Sequence, residues 1–510
     1  MSQTGWARRL LVPLLACGPL AACASAPPPP PQANPAPAAP AAAKSAAEKA
    51  SPSAAPAAKQ APEPARPRID PEHPYPSTYK PLPSRPTLLV HATLLTAAGE
   101  RIEGGALLMR DGRIAALGRE IAAPPDAQVI DAAGKWVTPG IVDPHSHLGV
   151  YPSPGNAGND DGNEATNPNT AEVWAEHSVW AQDPQFALAL AGGVTTMQLL
   201  PGSANLIGGL SVVVKNVPAR GVDGMKFPGA PYGLKMACGE NPKRVYGSQG
   251  RAPSTRMGNV AGYRDAWIRA DKYRREWREY RDKAASASGG TAKPPDRDLK
   301  LDSLAAVLDG KVLVQNHCYR ADEMLVMIDL AHEFGYRIAA FHHAVEAYKI
   351  ADVLAKEGIC ADMWADWWGF KMEALDGIRE NIAMVARAGA CAVVHSDSAD
   401  GIQRLNQEAA KGMAAGNRAG LSITPEDAIR WLTINPARSL GIERETGSLE
   451  VGKMADVVVW SGNPFSVYTR AERVYIDGAL AFDRQDPARQ PQSDFTLGLR
   501  EGATTQEVKP

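Results

Sequence analysis

WVTPGIVDPHSHLGV, residues Trp136–Val150, contains two histidines that are separated by a single residue. On an extended strand, residues i and i+2 point to the same face, so His145 and His147 converge on one point, as ligands of a divalent metal do. The short apolar run before them is typical of a buried parallel strand. The pair then lies where that strand ends, which is where an α/β barrel carries its metal or catalytic groups. A bare His-x-His pair is more often one surface and one core histidine, so the rest of the chain must decide.

The length and net charge of the chain limit the classes of protein to which it can belong. A chain of 510 residues accommodates one large catalytic domain and a smaller one. The net charge of −2 does not favour nucleic acid as a partner. Four of the six cysteines, Cys238, Cys318, Cys360 and Cys391, each stand in an apolar strand-like run without regular spacing. We interpret these four as small buried residues rather than as disulfides or a zinc site.

The N-terminus resembles a bacterial lipoprotein signal. Arg8 and Arg9 precede the apolar run Leu10–Ala22, which is too short to span a membrane. The sequence Leu-Ala-Ala-Cys that ends at Cys23 resembles a lipobox, in which the cysteine is lipidated and becomes the mature N-terminus. We therefore predict an exported lipoprotein on the periplasmic face of a bacterial membrane, with Ala24 favouring the outer membrane.

Composition divides the chain into six segments. The signal peptide and lipobox occupy residues 1–23, and a disordered Ala/Pro-rich tether occupies 24–86. Short strand-like runs with Asp-Gly turns occur in 87–140 and again in 442–490, so we predict that both ends build one small β-sandwich domain. Residues 141–441 form the barrel, and 491–510 form a tail.

The barrel segment alternates strand-like runs with amphipathic helices. Helices that end at Gly335, Gly358 and Gly389 separate the later strands, and Thr424-Pro425 opens a further helix. Repeated β-then-α units predict a parallel sheet, and eight of them close a barrel.

Polar side chains follow three of the predicted strands. KVLVQNH ends in His317, YRIAAFHH ends in His342 and His343, and ACAVVHSDS contains Asp397 near its end. The carboxyl ends of barrel strands share one rim, so these groups meet the first histidine pair there. Four independent strand ends with potential ligands favour a metal site over isolated core histidines.

The order of motifs resembles the amidohydrolase superfamily, and within it the imidazolonepropionase-like branch. The resemblance covers Thr87 to Asp483 and rests on TPGIVDPHSHLG, AGGVTTMQLLPGSANLIGG, GLKMACGENPKR, HHAVEAYKIADVLA, VVHSDS, TINPARSLGI and GSLEVGKMADVVVW. It implies an α/β fold, a distorted (β/α)8 TIM-type barrel with a small β-sandwich built from both chain ends.

The resemblance also implies a set of metal ligands. Carried over position by position, they are His145, His147, His317, His343 and Asp397. His342 is the alternative to His343. A two-metal site needs a bridging carboxylate on the fourth strand, either a carboxylated Lys235, which we favour slightly, or Glu240. The ion is expected to be divalent, with Zn²⁺ favoured over Fe²⁺ or Mn²⁺, in one or two copies.

The resemblance assigns the chemistry as well. Asp397 takes a proton from the attacking water and returns it to the leaving nitrogen, and His343 holds a second ion or stabilises the oxyanion. Substrate selection is expected from loop residues, because loops on a rigid scaffold carry specificity. The candidates are Asn163, Glu164, Arg244 and Arg256, the last two as a carboxylate clamp, and Trp364, which with Trp367 and Trp368 can wall an apolar pocket.

The sequence thus predicts a metal-dependent hydrolase that cleaves a carbon–nitrogen amide bond by a metal-activated water. A dipeptidase-like linear amide and a cyclic amide remain alternative substrates. An inactive binding lipoprotein of the same fold is the alternative from another class. Small-molecule substrate and membrane are the expected partners, nucleic acid is not, and the oligomeric state is left open.

Overall fold

The computed structural model describes residues 75–99, 101–285 and 293–490. The predicted signal peptide with Cys23, the tether as far as residue 74, and the tail 491–510 lie outside the described residues. None of the helices in the described ranges has the length and hydropathy needed to cross a membrane.

Sixteen strands and ten α-helices make up the described part of the chain. The strands are β1 Thr87–Leu94, β2 Ile102–Arg110, β3 Arg113–Gly118, β4 Gln128–Asp131, β5 Trp136–Pro139, β6 Ile141–Ser146, β7 Val194–Leu199, β8 Ile207–Lys215, β9 Gly233–Ala237, β10 Leu313–Cys318, β11 Ile338–His343, β12 Cys360–Met363, β13 Cys391–Val394, β14 Val457–Trp460, β15 Ala471–Ile476 and β16 Ala479–Asp483. The helices are α1 Gln185–Ala191, α2 Glu240–Gly247, α3 Arg256–Ala285, α4 Leu299–Leu308, α5 Ala321–Phe334, α6 Ala351–Glu357, α7 Asn381–Arg387, α8 Leu405–Arg418, α9 Pro425–Arg430 and α10 Ile434–Ser439.

Strands β6 to β13 form one eight-stranded sheet in sequence order, which confirms the predicted distorted barrel. Its two outer strands meet at their ends, where the Asp397 N–H donates to the His145 carbonyl over 3.0 Å. The sheet departs from a repeated βα barrel at β8, which is antiparallel to both β7 and β9. The connection 200–206 contains no helix and is too short for a crossover, so the chain reverses direction there.

The second sheet contains strands from both chain ends, as predicted. Its order is β16-β15-β14-β5-β1-β2-β3, with β4 paired to β1. The hairpin between β2 and β3 turns at Asp111 and Gly112, whose φ angles are 51° and 77°. Positive φ at both central residues is the type I′ geometry that Asp-Gly favours, because its twist matches that of the strands.

Helix ends in the barrel follow the signals in the sequence. Gly335 and Gly358 adopt left-handed conformations with φ of 74° and 69° directly after α5 and α6. Thr424 caps α9 through a reciprocal capping box with Asp427. The strands that follow α5 and α6, β11 and β12, are almost entirely buried.

A buried ionic cluster links the barrel to the second sheet. Lys215 at the end of β8 is fully buried, and its Nζ lies 3.0 Å from Asp456 Oδ1 and 2.6 Å from Asp477 Oδ1. The Tyr79 hydroxyl donates to Asp477. Residues 75–86 were predicted to belong to the tether, yet the Thr78 N–H also donates to the Asp223 carbonyl over 2.9 Å. The end of the predicted tether is therefore packed against the folded body.

The prediction that the four strand cysteines are unpaired was wrong. Cys238 is bonded to Cys318 and Cys360 to Cys391. Both pairs join neighbouring parallel strands, and Cys360 and Cys391 are direct register partners on β12 and β13. Register between strands brings these residues together, and their separations of 80 and 31 in sequence contain no sign of it.

Candidate metal centre

Three ligand-type atoms form a nearly equilateral triangle at the carboxyl rim of the barrel. His145 Nε2 and His147 Nε2 are 3.3 Å apart. Asp397 Oδ1 lies 3.3 Å from the first nitrogen and 3.2 Å from the second. Tetrahedral ligation at about 2.0–2.1 Å separates ligand atoms by about 3.3 Å. The triangle therefore has the spacing that a divalent ion requires.

Hydrogen bonds orient His145 and His147, the two histidines at the end of β6. His147 Nδ1 lies 2.8 Å from the Leu200 carbonyl, which can only accept, so Nδ1 carries the proton and Nε2 keeps its lone pair. His145 Nδ1 lies 2.9 Å from His342 Nδ1. Partners of this kind on the outer ring nitrogen are what orients metal-binding imidazoles.

His342 lies behind the triangle rather than in it. Its Nε2 is 2.8 Å from Gln315 Oε1, and the Gln315 amide donates to the Ser439 carbonyl over 2.9 Å. The amide orientation makes His342 Nε2 the donor, so its Nδ1 accepts from His145 Nδ1. The structure thus separates the two adjacent histidines of β11, with His342 supporting His145 and His343 facing the site.

His343 and Asp397 reach the site through left-handed backbone conformations. Their φ angles are 71° and 49°, a region that residues other than glycine adopt rarely. His343 Nδ1 lies 3.0 Å from His395 Nε2 and 3.9 Å from Asp397 Oδ2. Strained residues of this kind collect at functional sites. His145, His343 and His395 form a second ligand group adjoining the triangle.

Lys235 and Glu240 are the two candidates for the group that bridges two metal ions. The structure brings only Lys235, on β9, to the histidines. Lys235 is fully buried, and its Nζ lies 3.4 Å from His145 Nε2. Burial lowers the pKa of its ammonium to about 7, against the opposing charge of Asp397. Glu240 opens α2 instead, and its Oε1 lies 3.8 Å from Lys371 Nζ.

His317 completes the ring of imidazoles at the rim. Its ring centroid is 4.5 Å from that of His343, and its Nε2 is 3.5 Å from Asn241 Nδ2. Among the residues that the structure describes, the buried Nδ1 atoms of His317 and His395 have no hydrogen-bond partner. Buried nitrogens of this kind are costly unless they have a partner or bind a metal.

Burial favours the neutral form of the four fully buried imidazoles that face the site. It lowers the pKa of His395 to about 4, and it lowers the pKa of His145, His317 and His343 well below the usual value. Burial alone raises the pKa of Asp397, but the surrounding imidazoles of His147, His343 and His395 lower it below its ordinary value. The site therefore presents neutral nitrogen donors beside an ionised carboxylate.

Comparison with known proteins identifies the family. A model of the amidohydrolase family matches residues 324–496. The crystal structure of an amidohydrolase from Thermotoga maritima MSB8 is 36% identical and superposes with a TM-score of 0.71, covering 78% of this chain and all of that one. The chain belongs to the amidohydrolase family.

Curated relatives place it in the imidazolonepropionase-like branch of that family. Amidohydrolase tasK of Hapsidospora irregularis is 34% identical over 435 residues, and the match covers 78% of this chain but 43% of the fungal protein. An imidazolonepropionase of Symbiobacterium thermophilum is 25% identical over 399 residues, which is 71% of this chain and 84% of that protein. The chain thus spans less than half of tasK and most of the bacterial relative.

The residues of this amidohydrolase fit the divalent metal that the family implies. Neutral imidazole nitrogens and one carboxylate are the donor set that zinc and similar ions take. The triangle of His145, His147 and Asp397 contains two such nitrogens and the carboxylate. The Nδ1 atoms of His317 and His395, which have no hydrogen-bond partner in the described part of the chain, are further nitrogen donors.

Arg256, one of the two arginines of the predicted carboxylate clamp, is paired with two carboxylates of the chain itself. Its Nε donates to Glu323 over 2.8 Å, and one terminal nitrogen donates to Glu373 over 2.6 Å. These two carboxylates hold two of the three guanidinium nitrogens. Arg244 is exposed on α2. Sequence reasoning placed both arginines by their position after the fourth strand, where partners from other loops cannot be seen.

The loop residues that were predicted to bind substrate differ in how closely they approach the histidines. Asn163 donates to the Tyr151 hydroxyl, whose ring packs against that of His147 at 5.3 Å. The Glu164 side chain is exposed, and its carbonyl accepts from Asn205 over 2.7 Å. Trp364 stacks on His343 with centroids 4.4 Å apart, so it borders the site directly.

Three residues near the site were not among the predicted site residues. Asp143 is buried beneath the triangle and accepts from the Ser396 hydroxyl over 2.5 Å. Burial raises the pKa of Asp143 to about 7. His395 precedes Asp397 in the VVHSDS motif. Its place at the end of a predicted strand was the sequence signal that could have identified it as a site residue. Lys371 lies in the loop after β12, where spacing along the chain does not show what it contacts.

Proposed function

We propose that this amidohydrolase is a metal-dependent hydrolase that cleaves a carbon–nitrogen amide bond by attack of water. The carrying observation is the triangle of His145 Nε2, His147 Nε2 and Asp397 Oδ1, with sides of 3.2–3.3 Å. When bound there, a divalent ion lowers the pKa of water toward neutrality and polarises a carbonyl.

The residues of the chain supply the proton transfers. Asp397 is ionised, because its pKa lies below the ordinary value, and it can accept the proton of the attacking water. The same carboxyl then donates that proton to the leaving nitrogen, which restores the carboxylate. His343 lies 3.9 Å from Asp397 Oδ2, so it is placed either to hold a second ion or to stabilise the oxyanion.

We propose that Lys235, on β9, is carboxylated and acts as a metal ligand in that form. A pKa of about 7 leaves a substantial fraction of the amine neutral at neutral pH. A neutral amine adds to carbon dioxide and releases one proton, which yields a carbamate with two ligand oxygens. Carboxylation also removes the free-energy cost of burying an ammonium 3.4 Å from His145 Nε2.

Metal analysis tests this function. We expect purified protein to contain zinc, iron or manganese by mass spectrometry, and chelated protein to lose hydrolysis of an amide library and recover it when the ion returns. Intact mass in bicarbonate should show an added carboxyl group that Lys235→Arg abolishes. Protein without bound metal, and with no gain of hydrolysis on metal addition, would support the inactive binding protein instead.

We also propose that the protein is an exported lipoprotein anchored through Cys23 on the periplasmic face, with the outer membrane favoured. The lipobox of residues 20–23 carries this proposal. The two disulfides, Cys238–Cys318 and Cys360–Cys391, support it, because disulfides persist in oxidising compartments such as the periplasm.

Cys23→Ser should abolish lipidation. We expect a radiolabelled fatty acid to label the wild-type protein and not the variant, because the thioether is formed on that sulfur. Cys17→Ser, which removes a cysteine inside the predicted signal segment, is the matched control and should keep its label. Label that persists in Cys23→Ser contradicts the lipobox.

A further inference from the structure

A column of stacked aromatic rings leads from the histidine cluster to the protein surface. Trp364 stacks on His343 with centroids 4.4 Å apart and planes inclined by 24°. Trp367 stacks on Trp364 at 4.9 Å and 16°. Trp364 is 6% exposed and Trp367 is 40% exposed, so the outer ring presents one face to solvent. The wall of the site continues outward as an apolar surface.

The loop 364–375 that carries this column is unusually apolar for an exposed segment. Its large exposed side chains are Trp367, Trp368, Phe370, Met372 and Leu375. Single exposed apolar residues are ordinary, but a contiguous patch marks a binding surface. Phe370 also contacts Tyr319 at 6.2 Å between centroids, and Tyr319 stacks on His343. The patch is therefore continuous with the site rather than separate from it.

One charged side chain of the same loop turns inward. Lys371 Nζ lies 3.8 Å from the Tyr319 ring centroid. It donates to Asn241 Oδ1 over 3.3 Å, and Asn241 Nδ2 is 3.5 Å from His317 Nε2. The ammonium thus stands beside the metal centre, one side chain away from His317.

Lys371 forms two long ion pairs with carboxylates of the chain. Its carboxylate neighbours are Glu373 at 3.5 Å and Glu240 at 3.8 Å, both beyond a short hydrogen bond. Glu373 Oε1 already accepts from Arg256 over 2.6 Å. The hydrogen bond to Asn241 uses one of the three donors of the ammonium and the two carboxylates lie at longer range, so a donor remains for a ligand.

We propose that Lys371 binds the carboxylate of the substrate while Trp367 and Phe370 bind an apolar, aromatic group of the same molecule. The substrate class is then an amide that carries both a carboxylate and an aromatic side chain. This inference rests on the proposed function, and it assigns to Lys371 the role that the sequence predicted for Arg244 and Arg256. Lysine binds a carboxylate as a point charge, and the apolar wall nearby strengthens that interaction by excluding water.

Three small probes test the two halves of this subsite separately. N-acetyl-L-phenylalanine has both groups, its carboxamide lacks the charge, and N-acetylglycine lacks the ring. Calorimetry on the purified metal-containing protein measures binding without requiring turnover, and tryptophan fluorescence reports on the wall. We expect N-acetyl-L-phenylalanine to bind most tightly of the three.

Variants then assign each half. Lys371→Met should weaken N-acetyl-L-phenylalanine about tenfold to hundredfold and leave its carboxamide unchanged, whereas Lys371→Arg should retain most of the affinity. Trp367→Ala should weaken both phenylalanine probes about twofold to tenfold and leave N-acetylglycine unchanged. Lys272→Met, on the exposed face of α3, is the matched control. Thermal unfolding checks each variant, and Phe370→Ala replaces Trp367→Ala if the latter is unstable.

The outcomes separate this inference from the proposed function. Equal affinity of wild type and Lys371→Met for N-acetyl-L-phenylalanine overturns the carboxylate subsite, even if metal and hydrolysis are present. Selective loss of affinity in Lys371→Met supports the subsite, even if hydrolysis is never found. Equal binding of N-acetylglycine and N-acetyl-L-phenylalanine overturns the aromatic half.

Discussion

Asp397→Asn is expected to abolish turnover while the protein retains at least one metal ion. Asparagine is nearly isosteric and can offer an oxygen to the ion, but it does not accept a proton from water. A general base of this kind contributes on the order of 10²–10⁴-fold in rate, and the loss can be larger because the proton must also return to the leaving nitrogen. Turnover of an amide identified by screening, with metal content assayed on the same sample, measures the effect.

Asp400→Asn is the matched control for this substitution. Asp400 lies three residues further along and is exposed, so its loss should leave turnover and metal content unchanged. A near-wild-type rate in Asp397→Asn with full metal content would show that Asp397 is not the base. His395 would then be the next candidate, because its Nε2 lies 3.0 Å from His343 Nδ1 at the same strand end.

His145→Ala or His147→Ala should remove most bound metal and nearly all activity. Each substitution deletes one corner of the triangle whose sides measure 3.2–3.3 Å. Loss of an outer partner of a metal ligand costs about 10–100-fold in affinity, so loss of the ligand itself should cost at least about 100-fold. Competition with a chromophoric chelator measures the affinity directly.

The barrel itself should survive these substitutions. The hydrophobic core between strands and helices does not depend on an ion, so circular dichroism and the unfolding midpoint should remain close to wild type. His332→Ala, an exposed histidine of α5 that pairs with Glu357, is the matched control and should keep full metal. Unchanged metal stoichiometry in both His145→Ala and His147→Ala would mean that the pair is structural.

Local sequence patterns were sufficient for the architecture. Apolar runs that end in His147, His317, His343 and Asp397 predicted strands whose carboxyl ends share a rim, and the barrel sheet has that order. Asp111-Gly112 predicted a hairpin, and the left-handed φ angles at both residues confirm it. These features depend on a few neighbouring residues, because periodicity, caps and turns are set by local backbone preferences.

Contacts between distant strands could not be derived in the same way. The sequence left Lys235 and Glu240 as alternatives, and the register of β9 places the Lys235 amine 3.4 Å from His145 Nε2. It also left His342 and His343 open, and the left-handed backbone at His343 turns that residue toward the site. Adjacent residues of one strand point to opposite faces of the sheet. Only the closed barrel shows which face carries the site.

The sequence alone therefore determined the class of fold, the rim on which the site lies and most of the side chains that line it. Tertiary structure decided which atoms meet, the pairing of Cys238 with Cys318, and the capture of Arg256 by Glu323 and Glu373. The physical reason is that helices, turns and strands follow from interactions between near neighbours. A metal centre or an ion pair instead depends on distances of a few ångströms between residues that are hundreds of positions apart, and strand register, barrel closure and loop packing set those distances.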